Sequence, residues 1–117
     1  MEIKELNLEE GSIENVEINS KYLGIELKRW DQSFVKIIIN DYTKFVEFDS
    51  IGREISEFVI LDNSEFLEDE KEKLLRLDFD EEEINQLIYV KFIGLSDLPL
   101  LEVIANKNEI QVKKIPK

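Results

Sequence analysis

From residue 13 onward, apolar and polar positions alternate in short runs, the signature of strands with one buried face. The run at 22–30 is the clearest, with Leu23, Ile25 and Leu27 facing one way and Glu26 and Lys28 the other. Before it, a run at 3–8, a turn at Glu9-Glu10-Gly11-Ser12 and a run at 13–19 with Val16 and Ile18 on one face predict two further extended pieces. At 34–40, Val35, Ile37 and Ile39 share a face while Phe34 and Ile38 occupy the other, which predicts a central strand covered on both sides. Asn40-Asp41-Tyr42-Thr43 reads as a hairpin connection into a run at 44–49, Ser50-Ile51-Gly52 breaks the pattern, and 54–61 resumes it. The first sixty residues read as an antiparallel meander.

The period then changes. Asn63 or Ser64 can cap a helix over about 64–77, in which Phe66, Leu67, Leu74 and Leu77 fall on one arc, with Glu70 inside it and Leu75 outside it. Extended runs return at 87–93, 100–105 and 110–115, the last carrying the lysines that discourage stray edge pairing. The predicted class is α+β: an antiparallel sheet of about five to eight strands with one main helix packed on a face. The predicted core comprises Leu23, Ile25, Leu27, Val35, Ile37, Ile39, Phe48, Val59, Leu67, Leu74, Ile88, Val90, Phe92 and Val103.

Composition narrows the chemistry. At 117 residues, with no Pro/Gly/Ser linker and no internal repeat, the reading is a single domain spanning 1–117. There is no Cys and no His, which removes disulfides, thiolate and imidazole metal sites and every catalytic triad with a histidine base. Neither a signal-peptide pattern nor a long apolar run appears, so the expected location is the cytoplasm, with no membrane partner. A net charge of −12 repels phosphate backbones, so direct nucleic-acid binding is not expected. No cofactor is called for.

The acids are not spread evenly. Between 65 and 83, ten acids meet three bases, whereas the last 34 residues hold three acids and five bases. On the predicted helix Glu65, Glu68, Asp69 and Glu72 cluster opposite the apolar arc, and Asp78, Asp80, Glu81, Glu82 and Glu83 continue the field past its C-terminal end, against the helix dipole. Asp69 with Lys73 and Glu72 with Arg76 are the pairs a solvated helix would use, yet Glu65 with Asp69 and Glu68 with Glu72 are like-charged at i,i+4. A calcium loop beginning at Asp78 fails, because it requires Gly at its sixth position and Glu at its twelfth, where Glu83 and Tyr89 stand. Carboxylate hydrolysis needs acids from several elements around a cleft, a convergence that spacing does not indicate. Isolated glycines make no phosphate loop. Trp30, closing the clearest strand, is either a core or sheet-edge aromatic or an interface anchor.

Tyr22-Leu23-Gly24-Ile25-Glu26-Leu27, Val35-Lys36-Ile37-Ile38-Ile39 and Ile51-Gly52-Arg53-Glu54-Ile55 resemble the small acidic immunity proteins of bacterial polymorphic-toxin systems. The resemblance covers the first half of the chain and implies a cytoplasmic protein that binds and neutralises a toxin domain. The expected function is therefore non-enzymatic: acidic surface occluding a basic protein partner, with Glu65, Glu68, Asp69, Glu72, Asp78, Asp80, Glu81, Glu82, Glu83 and Trp30 as candidate contacts. The alternatives are a phage-encoded inhibitor that mimics nucleic-acid charge against a nucleic-acid-binding defence protein, and a carboxylate-dependent hydrolase.

Overall fold

A computed structural model of the chain describes residues 6–116. Eight strands and two helices follow in the order β1 (Ser12–Ile18), β2 (Tyr22–Lys28), β3 (Phe34–Asn40), β4 (Lys44–Glu47), β5 (Glu57–Leu61), α1 (Glu65–Arg76), α2 (Glu81–Ile84), β6 (Leu87–Ile93), β7 (Pro99–Asn106) and β8 (Ile110–Ile115). All strand pairs are antiparallel, so the class is α+β as the periodicities indicate.

The strands divide into two sheets, ordered β1-β2-β3-β8 and β4-β7-β6-β5. The chain leaves the first sheet after β3 and builds the second from β4 to β7, then returns with β8 to pair with β3. This division is what alternation alone does not specify, because a strand pairing in either sheet shows the same period of two. Between the sheets, Leu23, Ile25 and Leu27 of β2 and Val35, Ile37 and Ile39 of β3 pack with Ile88, Val90 and Phe92 of β6 and Leu101, Val103 and Ala105 of β7. Leu6 and Leu8 join this cluster from the run at 3–8, whose first three residues lie outside the described ones.

The central strands of the second sheet, β6 and β7, are buried on both faces. Leu87, Tyr89 and Ile104 point away from the sandwich and are covered by Leu67 of α1, with Phe66 and Leu74 packed around them. This double burial explains the nearly unbroken apolar run at 87–93. The Phe66 and Tyr89 rings meet at 5.2 Å between centroids. Glu70, the acid inside the apolar arc, reaches Lys44 of β4 at 3.8 Å, while Lys44 also lies 4.9 Å from the Phe66 ring centroid. An acid among leucines is tolerated because the sheet edge supplies its cation.

Two core expectations change. Phe48 lies just past the end of β4 and is 41% exposed, and Val59 faces outward on β5, level with Lys91, where it is only half-buried. On β5 it is Phe58 and Ile60 that face the core, so the expected core position at Val59 is out of phase by one residue, and neither Val59 nor Phe48 packs on either buried cluster. The outer side of β3 likewise carries half-buried Lys36 and Ile38, with no helix above it among the described residues. On this face the Lys36 stem lies across Gly24 and its ammonium reaches Glu17.

Candidate functional site

The acidic segment folds into a helical corner. Ser64 caps α1, its Oγ accepting from the Leu67 N–H at 3.0 Å. At the other end Asp78 adopts φ 61, its N–H donates to the Leu75 carbonyl at 3.2 Å, and the Phe79 N–H donates to the Leu74 carbonyl at 3.1 Å. These two bonds form a Schellman motif with aspartate where glycine usually stands. The chain then turns at once into α2, whose first N–H groups are capped by Asp80, its Oδ1 accepting from Glu82 N at 3.0 Å.

This geometry alters the electrostatic reading of Asp80, Glu81, Glu82 and Glu83. As a tail beyond α1 they would oppose its dipole. As the cap and first turn of α2 they sit where the free N–H groups of that turn favour negative charge. Of the pairs anticipated on α1, Glu72 holds Arg76 at 2.6 Å, whereas Lys71 turns to Glu68 at 3.7 Å and no bridge joins Asp69 to Lys73 among the described residues.

Glu65, Glu68, Asp69, Glu72, Asp78, Asp80, Glu81, Glu82 and Glu83 are all exposed; Asp78 and Asp80 to Glu83 form the corner itself, while Glu72, Asp69, Glu68 and Glu65 lie back along α1, the last about 18 Å away at about 1.5 Å per residue. Leu77 is 68% exposed and Phe79 52% exposed, so the turn joining the helices places apolar groups among the acids. Trp30 is exposed too, but it belongs to the β2–β3 turn of the first sheet. Strand β3 runs from that turn toward Asp41, and at about 3.3 Å per residue it holds Trp30 about 20 Å from the end nearest the corner. The structure does not bring Trp30 to the acidic group.

Beside the corner lies a cleft of about 510 Å³ with Leu74, Phe79, Ile84 and Leu87 as its apolar lining and Asp41, Glu70, Glu83 and Glu109 around it. Asp41, Tyr42 and Thr43 arrive from the β3–β4 turn, and Asn106 and Glu109 from the β7–β8 connection. These five are site residues that sequence spacing does not reveal, because the sandwich topology alone carries both turns to the end of α1. Asp41 has one local signal, its positive φ of 48 in the turn anticipated at 40–43. The four carboxylates surround the cleft without converging: among the described residues no group of three or more acids is placed to hold a metal ion. Among those residues, too, no helix is long and apolar enough to cross a membrane.

Elsewhere, polar networks are structural. Ser50, fully buried, donates from its N–H at 2.6 Å and its Oγ at 2.8 Å to Glu47, whose pKa these bonds lower. The Ser33 hydroxyl and N–H both donate to Asp31 and lower its pKa, closing the turn beside Trp30. Tyr89 donates its hydroxyl to Glu102, and burial first, then that bond, raises the Tyr89 pKa far above the ordinary tyrosine range.

No family model matches the chain, and no curated protein or solved structure does so either.

Proposed function

We propose that this protein is a non-enzymatic binder that covers a basic surface on another protein, in the manner of an immunity protein that neutralises a bacterial toxin domain. One observation carries the reading: the α1–α2 corner exposes Leu77 and Phe79 in the middle of its densest field of carboxylates. Solvated charge alone gives no reason for a half-exposed phenylalanine there. A protein interface does, because its centre is apolar and often aromatic while its rim is polar.

The physical mechanism follows from that anatomy. Ten acids against three bases between 65 and 83 create a local potential that steers a cationic surface into encounter. Phe79 and Leu77 then lose water against the partner, and the cleft below Phe79 accepts a long side chain whose cationic end stays near Glu83 and Asp41. Occlusion of the partner's basic surface is sufficient to block a nuclease, whose substrate needs that same surface.

Affinity purification from the native host tests the reading, with wild type compared against Leu77→Ser with Phe79→Ser. Neither side chain belongs to a buried cluster, so the variant should fold. A basic protein retained by wild type and lost or strongly depleted with the variant supports the interface. Equal retention of every protein by both chains refutes it.

A further inference from the structure

We infer that the outer edge of β5 is a second contact surface, which an extended, lysine- or arginine-bearing segment of the partner joins as an added strand. The inference draws on the corner reading only for the basic character of the partner. The extended conformation comes from the backbone itself.

Each sheet has two edges, and three of the four are blunted. The start of β1 is covered by the segment before β5: Ile13 N donates to Arg53 O at 3.2 Å, Gly52 N to Ile13 O at 2.6 Å, and a register shift between Ile13 and Asn15 bends the short remainder, which carries Glu17. Strand β8 carries Lys113 and Lys114 and runs into Pro116. Strand β4 is only four residues long. Strand β5 reads Glu-Phe-Val-Ile-Leu, with no lysine, proline or bulge, and it pairs in unbroken register with β6. Among the described residues its backbone makes no hydrogen bond on the side away from β6. Leu61 at its end is exposed.

An open row of N–H and C=O groups is otherwise left to water, and a protein segment that pairs the whole row in register is a strand, so the occupant is extended. Its charge follows from the flanks. Glu57 begins β5, Asp62 follows it and Glu65 opens α1. A second copy of this chain is a poor occupant: antiparallel pairing centred on Val59 sets Glu57 opposite Leu61 and beside Asp62 of the other copy, twice over. Two chains each carrying −12 add to that repulsion. A segment alternating apolar and basic residues instead extends the inner row of Phe58 and Ile60 with its apolar face. Its cations then lie on the outer row that holds Glu57.

The probe is a blocked heptapeptide of alternating lysine and valine, added to the full-length protein, with amide hydrogen exchange read residue by residue. Outward-facing β5 amides should exchange at least about tenfold more slowly with the peptide, because open donors have gained partners. A peptide with proline at its central position should give no such protection, and Val59→Lys, at a half-exposed position, should abolish it while leaving the fold intact. Protection should persist in Glu68→Lys with Glu72→Lys, which disables the corner alone. Three results overturn the inference: peptide binding that perturbs only α1 and α2, equal protection by the proline peptide, or concentration-dependent dimerisation that protects β5 without peptide. The first of these leaves the corner reading standing.

Discussion

Lys36 of β3 crosses the full width of β2 to reach Glu17 of β1 at 3.1 Å, passing over Gly24, the one position in β2 without a side chain. The Tyr22 hydroxyl donates to the same carboxylate at 2.8 Å. The Tyr22 bond, then the Lys36 bond, lower the Glu17 pKa, and the carboxylate in turn raises that of Lys36. Gly24 in the middle of a strand is therefore a place for another residue's stem to lie.

A methyl group at Gly24 would stand 2.9 Å from Lys36 Cε. Since that atom is near the end of a flexible side chain, Gly24→Ala should displace Lys36 and leave the sheet intact. Titration of Glu17 followed by NMR checks this: its pKa should rise part of the way back toward 4.5, while the Tyr22 bond remains. An unchanged Glu17 pKa would show that Lys36 finds another path.

Asp78 holds a left-handed conformation that costs a non-glycine residue roughly 1–2 kcal/mol, less for aspartate than for most. Asp78→Gly should stabilise the fold by about 0.5–1 kcal/mol and raise the melting temperature by a few degrees. Thermal unfolding by circular dichroism measures it. Loss of stability would mean that the aspartate side chain supports the corner in a way its backbone geometry does not reveal.

Two buried-edge networks set opposite pH limits. Because the folded pKa of Glu47 is lowered from 4.5, its contribution is present above that value and is lost as pH falls through the folded pKa. The folded pKa of Tyr89 is raised from 10.0, so its contribution is complete below pH 10 and declines as pH rises toward the folded value. Urea unfolding across pH should show Glu47→Gln reducing the fall in stability below pH 4.5 and Tyr89→Phe reducing the fall above pH 10. At neutral pH, Tyr89→Phe should cost about 1–3 kcal/mol, since it strips Glu102 of a donor.

The sequence carried the strands and the helix because each has a face that must be buried. Leu23, Ile25 and Leu27 announce β2 within seven residues. It did not carry the split into two sheets, since the partner of a strand such as β4 is 54 to 60 residues away in β7 and leaves no local mark. The same holds for the site. The acids of α1 and α2 are legible as a run, but Asp41 and Glu109 reach the cleft only through the crossings between sheets. Glu70 shows the converse: a misplaced acid in the apolar arc was visible, and its explanation, Lys44, lay in a different sheet element.

The central claim is that the α1–α2 corner docks a basic protein by electrostatic steering around an apolar centre. Its most direct test is the association rate of the captured partner with wild type and with Glu68→Lys, Glu72→Lys, measured across ionic strength. Both glutamates are exposed, but the exchange breaks the Glu72–Arg76 and Glu68–Lys71 bridges and sets lysines beside both bases, so stability should fall by about 1 kcal/mol with the fold retained. Wild type should associate quickly at low salt and slow steeply as salt rises, whereas the variant should associate at least about tenfold more slowly at low salt with a much flatter dependence. Equal rates and equal salt slopes for the two proteins would contradict the account.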